Sequence, residues 1–287
     1  MRILITGAAG FIGSTLADTF IEAGHDVWGI DNFSTGRWEN FERNQGWELH
    51  DTELEYWSLR EDQPRTDLII HCAASYKDPD DWSEDVGTNV RGGVKVSRLA
   101  KTWGAHLIYF QTILPPVSSY AISKIAAEQY MRLSGVDLTV LRLANIYGPR
   151  NLSGPIPVFY KRITAGLPCV VVDTARDMVF IDDLVDAVVK VVTGRLTGTF
   201  DVCAGTQTSI LGIFESVACE LDHYSIPPLI PPAPDDVQGT VHPDAGVPGW
   251  RASTGLRNGI AETIASYREH GVNQTHTHLR IGEKDAS

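Results

Sequence analysis

The chain has 287 residues, room for one large domain or for a domain with a smaller lobe. Its formal net charge of −12 makes it a poor partner for nucleic acid or for an anionic membrane surface. Four cysteines without a C-x-x-C pair, no apolar run of membrane-spanning length, and a glycine turn close behind the first residue predict a reduced, soluble, cytoplasmic protein.

The first predicted strand, 2–6, runs into Gly7-Ala8-Ala9-Gly10-Phe11-Ile12-Gly13 and then into a helix predicted over 11–23. Strand, glycine turn and helix start make an anion site, because free backbone N–H groups and the positive helix end converge there. The first glycine permits the turn, the second lets a pyrophosphate approach, and the third lets the helix pack on the sheet. A second strand, 26–30, ends at Asp31, 24 positions after Gly7. An acid there accepts the two hydroxyls of an adenosine ribose and repels a 2′-phosphate, although Arg37 close by leaves NADP open.

Strands are then predicted at 67–72, 106–111 and 138–143, with helices at 52–59, 85–103 and 118–134. This alternation argues for an α/β fold with a doubly wound parallel sheet, whose ligands collect at the carboxyl ends of the strands. After Pro149 the pattern loosens. Helices at 158–165, 182–192, 209–221 and 259–270, strands at 170–172 and 199–203, and a proline-dense stretch at 227–248 predict a smaller lobe. The predicted division is 1–150 and 151–287, with the chain returning to the main sheet near 178–203. His276-Thr277-His278 supplies two potential metal ligands without a third, so no metal is predicted.

Ser119-Tyr120-Ala121-Ile122-Ser123-Lys124 opens a predicted helix and places Tyr120 and Lys124 on one face. A free tyrosine, with a pKa near ~10, is a poor base at neutral pH. A neighbouring cation lowers that value, so the pair is a candidate proton shuttle for an alcohol or sugar hydroxyl.

The set GAAGFIG, Asp31–Gly36, His71-Cys72-Ala73-Ala74, Thr88-Asn89-Val90, Phe110-Gln111-Thr112, SYAISK, the run from Leu141 to Arg150, Gly154–Pro157 and Arg176-Asp177 spans nearly the whole chain. It resembles the extended short-chain dehydrogenase/reductases, in particular the NAD-dependent nucleotide-sugar epimerase/dehydratase group and its members from bacterial O-antigen clusters. The resemblance implies a Rossmann-type sheet with a C-terminal substrate lobe. It implies NAD held by Gly7, Gly10, Phe11, Ile12, Gly13, Asp31, Asn32, Ser34, Thr35, Gly36, Asp51, Thr52, Cys72, Ala73, Ala74, Asn89 and Lys124. Tyr120 would be the base, Lys124 would bind the nicotinamide ribose, and Thr112 would hold the sugar hydroxyl. Asn145, Arg176 and Asp236 would meet a nucleotide-diphosphate sugar such as a UDP-sugar, and Lys77 could contact the cofactor or a uronic-acid carboxylate.

The resemblance also implies a longer loop between Thr112 and Tyr120 than the eight-position spacing found here. Ile113-Leu114, where dehydratases of the group carry Asp-Glu, argues against dehydration. Epimerisation at C4 is the expected activity, with a ketoreductase, a decarboxylase or a non-catalytic nucleotide sensor as alternatives. A homodimer is expected through the helices at 85–103 and 118–134, with Val94, Leu99, Ala126, Ala127 and Tyr130 as interface candidates.

Overall fold

In chain order the parallel strands are β1 (Arg2–Thr6), β2 (Asp26–Asp31), β3 (Glu48–Asp51), β4 (Leu68–His71), β5 (His106–Thr112) and β6 (Leu138–Leu143). The computed structural model describes all residues except 43–46, 59–64, 77, 223–227, 230–238, 240 and 276–287. Strands β7 (Asn145–Tyr147) and β8 (Ala175–Phe180) precede β9 (Gly198–Val202) and β10 (Gln207–Ser209). The large sheet has the order β3-β2-β1-β4-β5-β6-β9, and every pairing in it is parallel. This is the doubly wound, Rossmann-type order, in which the crevice lies where the strand order reverses beside β1.

Alternate residues of the central strands feed two cores, as a strand's period of two requires. Ile3 and Ile5 face the helices α1 (Phe11–Glu22) and α7 (Ile181–Gly194), together with Leu16, Leu184 and Val188. Leu4 faces the opposite side with Trp28, Val96, Tyr109 and Met131, under α4 (Gly92–Trp103) and α5 (Ser119–Ser134). The short helices α2 (Trp38–Glu42) and α3 (Trp82–Asp85) lie on the rim, and α3 passes through a π-helical turn at Val86–Arg91 into α4.

The small lobe holds a mixed sheet in the order β10-β8-β7, with β8 parallel to β7 and antiparallel to β10. Against it pack α8 (Ile210–Glu220) and α9 (Leu256–His270), and α6 (Pro155–Thr164) packs on α8. Its apolar residues, Phe159, Phe214 and Ile264 among them, belong to the same core as Ile3 and Ile5. Buried carboxylates on β8, α7 and β9 tie its loops down. Asp177 accepts from the Ala204 and Gly205 amides, both at 2.7 Å. Asp183 accepts from Ser253 N at 3.0 Å and Thr254 N at 3.1 Å, and Asp201 from His242 N at 2.9 Å.

Several expectations need correction. The helix predicted at 52–59 is absent over the described residues. Glu48–Asp51 instead pairs as an edge strand with β2, and the following loop turns at Glu53. The strand predicted at 170–172 is a single bridge from Val170 to Leu229. Strands β7, β8 and β10 were not predicted, because three to six residues facing a solvated cleft carry little apolar signal. Of the interface candidates, Leu99 and Ala127 are buried in the core under α4 and α5. Tyr130 is exposed, as are Ile122 and Leu133 on the same helix. The His276-Thr277-His278 pair lies outside the described residues.

Candidate active site

One cleft of about 1040 Å³ runs along the carboxyl ends of the strands, from the glycine turn to β8. At its floor Gly7 adopts φ +67, and a β-carbon there would lie 2.7 Å from the Ala73 amide nitrogen. A β-carbon on Gly13 would lie 2.1 Å from the Gly7 carbonyl oxygen. The turn is thus pressed between β4 and α1 backbone to backbone. The α1 N-cap, Gly10, offers no side-chain cap, so the first helical N–H groups face the cleft without an internal acceptor. That is the form an anion-binding helix start takes, and it fits a dinucleotide pyrophosphate.

Asp31 stands at the end of β2 with its carboxylate fixed. Oδ2 accepts from Ala9 N at 2.9 Å and Oδ1 from Phe33 N at 2.7 Å. Burial pushes its pKa up, and the backbone donors and the nearby Asp51 modify that shift. An oriented carboxylate in the cleft wall suits the paired hydroxyls of a ribose. Asn32 accepts from Ser34 N at 3.0 Å, which shapes the loop carrying Ser34 and Thr35 along the same wall. Gly36 does not line the cleft. A β-carbon there would lie 2.8 Å from Asp31 Oδ1, so the glycine lets this loop pack on the turn.

Helix α5 brings Tyr120 and Lys124 in. Ser118 caps it, accepting from Ala121 N at 3.2 Å, so Tyr120 falls in the first turn and Lys124 one turn later. Both line the cleft beside Thr112, whose Oγ1 accepts from Leu114 N at 3.1 Å. Burial holds the Lys124 pKa down at about 7, with the Cys72 side chain acting the other way. Burial pushes the Tyr120 hydroxyl well above its usual range, and Tyr76 and Asp85 act in the same direction. Burial of the phenolate thus acts in the direction opposite to the lowering expected from a neighbouring cation.

Phe11, Ile12, Thr52, Cys72, Ala73 and Ala74 also line the cleft, as do Asn145 and Arg176 on its far side. The Arg176 guanidinium donates to Thr174 Oγ1 at 2.9 Å and to the Ala175 carbonyl at 2.8 Å. Asn145 donates to the Asp177 carbonyl at 3.3 Å. Asp51 and Asn89 are not in the lining. Asn89 is buried; its amide donates to Ser123 Oγ at 2.9 Å and accepts from Ser75 N at 3.0 Å, tying the loop after β4 to α5. Lys77 and Asp236 lie outside the described residues.

Residues that sequence reasoning missed include Tyr76, Gln207 and Arg150. Arg150, at φ +71, reaches back to α1, donating to Ser14 Oγ at 3.0 Å and pairing with Asp18. Its place directly after Tyr147-Gly148-Pro149 was the available signal.

Comparison with known proteins agrees with this geometry. A UDP-glucose 4-epimerase of Mycolicibacterium smegmatis is 31% identical, aligned over 93% of this chain and 99% of its own. A UDP-glucuronic acid decarboxylase 1 of Danio rerio is 28% identical over 95% of this chain and 74% of its own. The crystal structure of the Bordetella bronchiseptica enzyme WbmG in complex with NAD and UDP superposes with a TM-score of 0.85 at 34% identity, covering 97% of this chain and 98% of that one. Residues 3–202 match the NAD dependent epimerase/dehydratase family. With the glycine turn, Asp31 and the Tyr120–Lys124 pair on one cleft, the chain belongs to that family and takes NAD as its cofactor.

Proposed function

We propose that the chain is a nucleotide-sugar 4-epimerase acting on a UDP-hexose or UDP-hexuronic acid through a transient 4-keto sugar. The observation that carries this reading is the placement of Tyr120, Lys124 and Thr112 midway along a cleft whose two ends differ. One end is the glycine turn and Asp31; the other carries Asn145 and Arg176, whose polar heads suit a diphosphate. Thr112 holds the sugar hydroxyl and Tyr120 takes its proton. Lys124 holds the nicotinamide ribose and stands as the cation beside the phenol. Bound NAD would supply reversible hydride transfer with the sugar carbon, which leaves no net oxidation. The protein contributes position and electrostatics.

Residues 113–118 make the whole connection from β5 to α5 and bring Ile113, Leu114 and Val117 to the cleft, without a carboxylate. That favours epimerisation over 4,6-dehydration, which needs an acid beside the threonine. Decarboxylation of a UDP-hexuronic acid is the second reading, favoured by the zebrafish relative. The resemblance assigns substrate-binding roles to Lys77 and Asp236, which lie outside the described residues. The test is incubation with a panel of UDP-sugars and NAD, resolving products by NMR. Interconversion of C4 epimers supports the proposal, and loss of carbon dioxide from a hexuronic acid supports the second reading. Binding of NAD without turnover of any sugar overturns both in favour of a nucleotide sensor. We propose further that α4 and α5 pair with their copies in a dimer, using Tyr130, Ile122 and Leu133. A monomer by light scattering at micromolar concentration refutes it.

A further inference from the structure

Beneath the cleft, the side of Lys124 away from the solvent rests on Tyr109, a core residue of β5 with no solvent exposure. The Lys124 ammonium lies 4.3 Å from the centroid of the Tyr109 ring. The Tyr109 hydroxyl donates to the Lys124 backbone carbonyl at 3.0 Å. The ring also stacks on His71, with centroids 5.7 Å apart and planes 23° from parallel. His71 is held in turn by Thr6, whose Oγ1 lies 2.6 Å from Nδ1. The ring is thus clamped in place, with one face presented to the ammonium and its hydroxyl gripping the same residue's backbone.

We infer that Tyr109 is a positioning residue for Lys124, aiming it into the cleft through the hydroxyl and keeping its ammonium charged through the negative face of the ring. A cation over an aromatic face is stabilised most where water is excluded. Lys124 is almost fully buried and has no carboxylate bonded to it among the described residues. The titratable groups that interact with it are His71 and Cys72 at the end of β4, with Asp31 acting on Cys72, while Tyr120 and Glu128 on the lysine's own helix act on Tyr109. His71 is kept neutral by burial, its pKa lowered to about 3, and the Cys72 thiol is pushed up. Glu128 is occupied by Gln111 at 2.8 Å and Arg132 at 2.7 Å. The ring therefore stands with the Cys72 side chain in favouring the charged form, opposing the burial that draws the Lys124 pKa down to about 7.

The inference rests on Lys124 as the cofactor-side cation, and its test is read on the cofactor-free chain. Lysine labelled with ¹³C at Cε is titrated by NMR in the full-length protein, and the Lys124 resonance is identified by its loss in Lys124→Met. Tyr109→Phe keeps the ring and should leave the midpoint in place. Tyr109→Leu should lower it by roughly half to one pH unit, the range a cation–π contact supplies. A merely structural role would loosen the packing, hydrate the ammonium and raise the midpoint instead. Fluorinated phenylalanines at 109 keep the ring's shape while draining its negative face, so they test the same point even if the leucine variant does not fold. The midpoint should fall stepwise with fluorine number. A midpoint that stays or rises across that series overturns the inference. NAD titration of Lys124→Met separates the two readings: wild-type affinity there sinks the cofactor role of Lys124, while the Tyr109 result stands on the midpoint alone.

Discussion

Replacing Gly13 by alanine tests how the turn is built. The added carbon would sit 2.1 Å from the Gly7 carbonyl oxygen, 2.9 Å from the Gly7 carbonyl carbon and 3.1 Å from Ala8 Cα. All three are backbone atoms, so no rotamer change relieves the contact. Restoring ordinary van der Waals distance requires α1 to retreat from the turn by about 1 Å, against a packed core that resists such shifts. Overpacking of this kind costs about 3 kcal/mol. For 287 residues, that lowers the melting midpoint by roughly 5 °C. The retreat also carries the helix N–H groups away from the pyrophosphate, and a displacement of about 1 Å costs on the order of 100-fold where geometry is critical. At Gly10 the added carbon meets the Gly7 oxygen at 3.2 Å, a contact that small movements relieve. Gly10→Ala should therefore cut NAD affinity by blocking the ligand's approach, with little change in melting. Calorimetric NAD titration and thermal melts of the two variants give the comparison. A Gly13→Ala protein that melts and binds NAD like the wild type would refute the steric account of the turn.

Tyr120→Phe should reduce epimer interconversion by about 10²–10⁴-fold, the usual worth of a general base, and leave NAD affinity near wild type by the same titration. NADP should bind on the order of 100-fold more weakly than NAD, because the Asp31 carboxylate is pinned by two backbone donors and cannot turn from a 2′-phosphate; equal affinities would show that Arg37 compensates. His71, with its pKa near 3 in the folded chain against 6.5 in the open, refuses a proton that the unfolded chain accepts. Stability from this group is present above pH 6.5 and falls as the pH drops toward 3, by up to about 1.4 kcal/mol per unit. Urea unfolding should show a shallower acid limb for His71→Gln than for the wild type.

The sheet was legible because its signals are local. Ile3-Leu4-Ile5 before three glycines, and Leu68-Ile69-Ile70 before His71, can hardly be anything but buried strands with a turn at their ends. The Tyr120–Lys124 spacing likewise needs only one helical turn. What the sequence hid depends on distant partners. Strand β3 reads as a polar segment and exists because β2 offers it an edge. The bonds of Asn89 to Ser75 and Ser123 join segments that no local pattern pairs. The upward shift of the Tyr120 hydroxyl could not be read from its spacing to Lys124 either, because spacing does not report burial.

The single core running through both lobes has a consequence for traffic. A cleft between two independently folded bodies can gape like a jaw, and each cycle then trades its contents with the solvent. Here Phe159, Phe214 and Ile264 share their packing with Ile3 and Leu16, and Asp177, Asp183 and Asp201 pin the loops between them. Gaping would tear that core, so passage is left to the loops at the rim, such as 32–37 and 52–57. A sugar can slip past a rim loop more easily than a dinucleotide lying along the floor. The fold therefore suits a catalyst whose hydride carrier stays aboard from one turnover to the next.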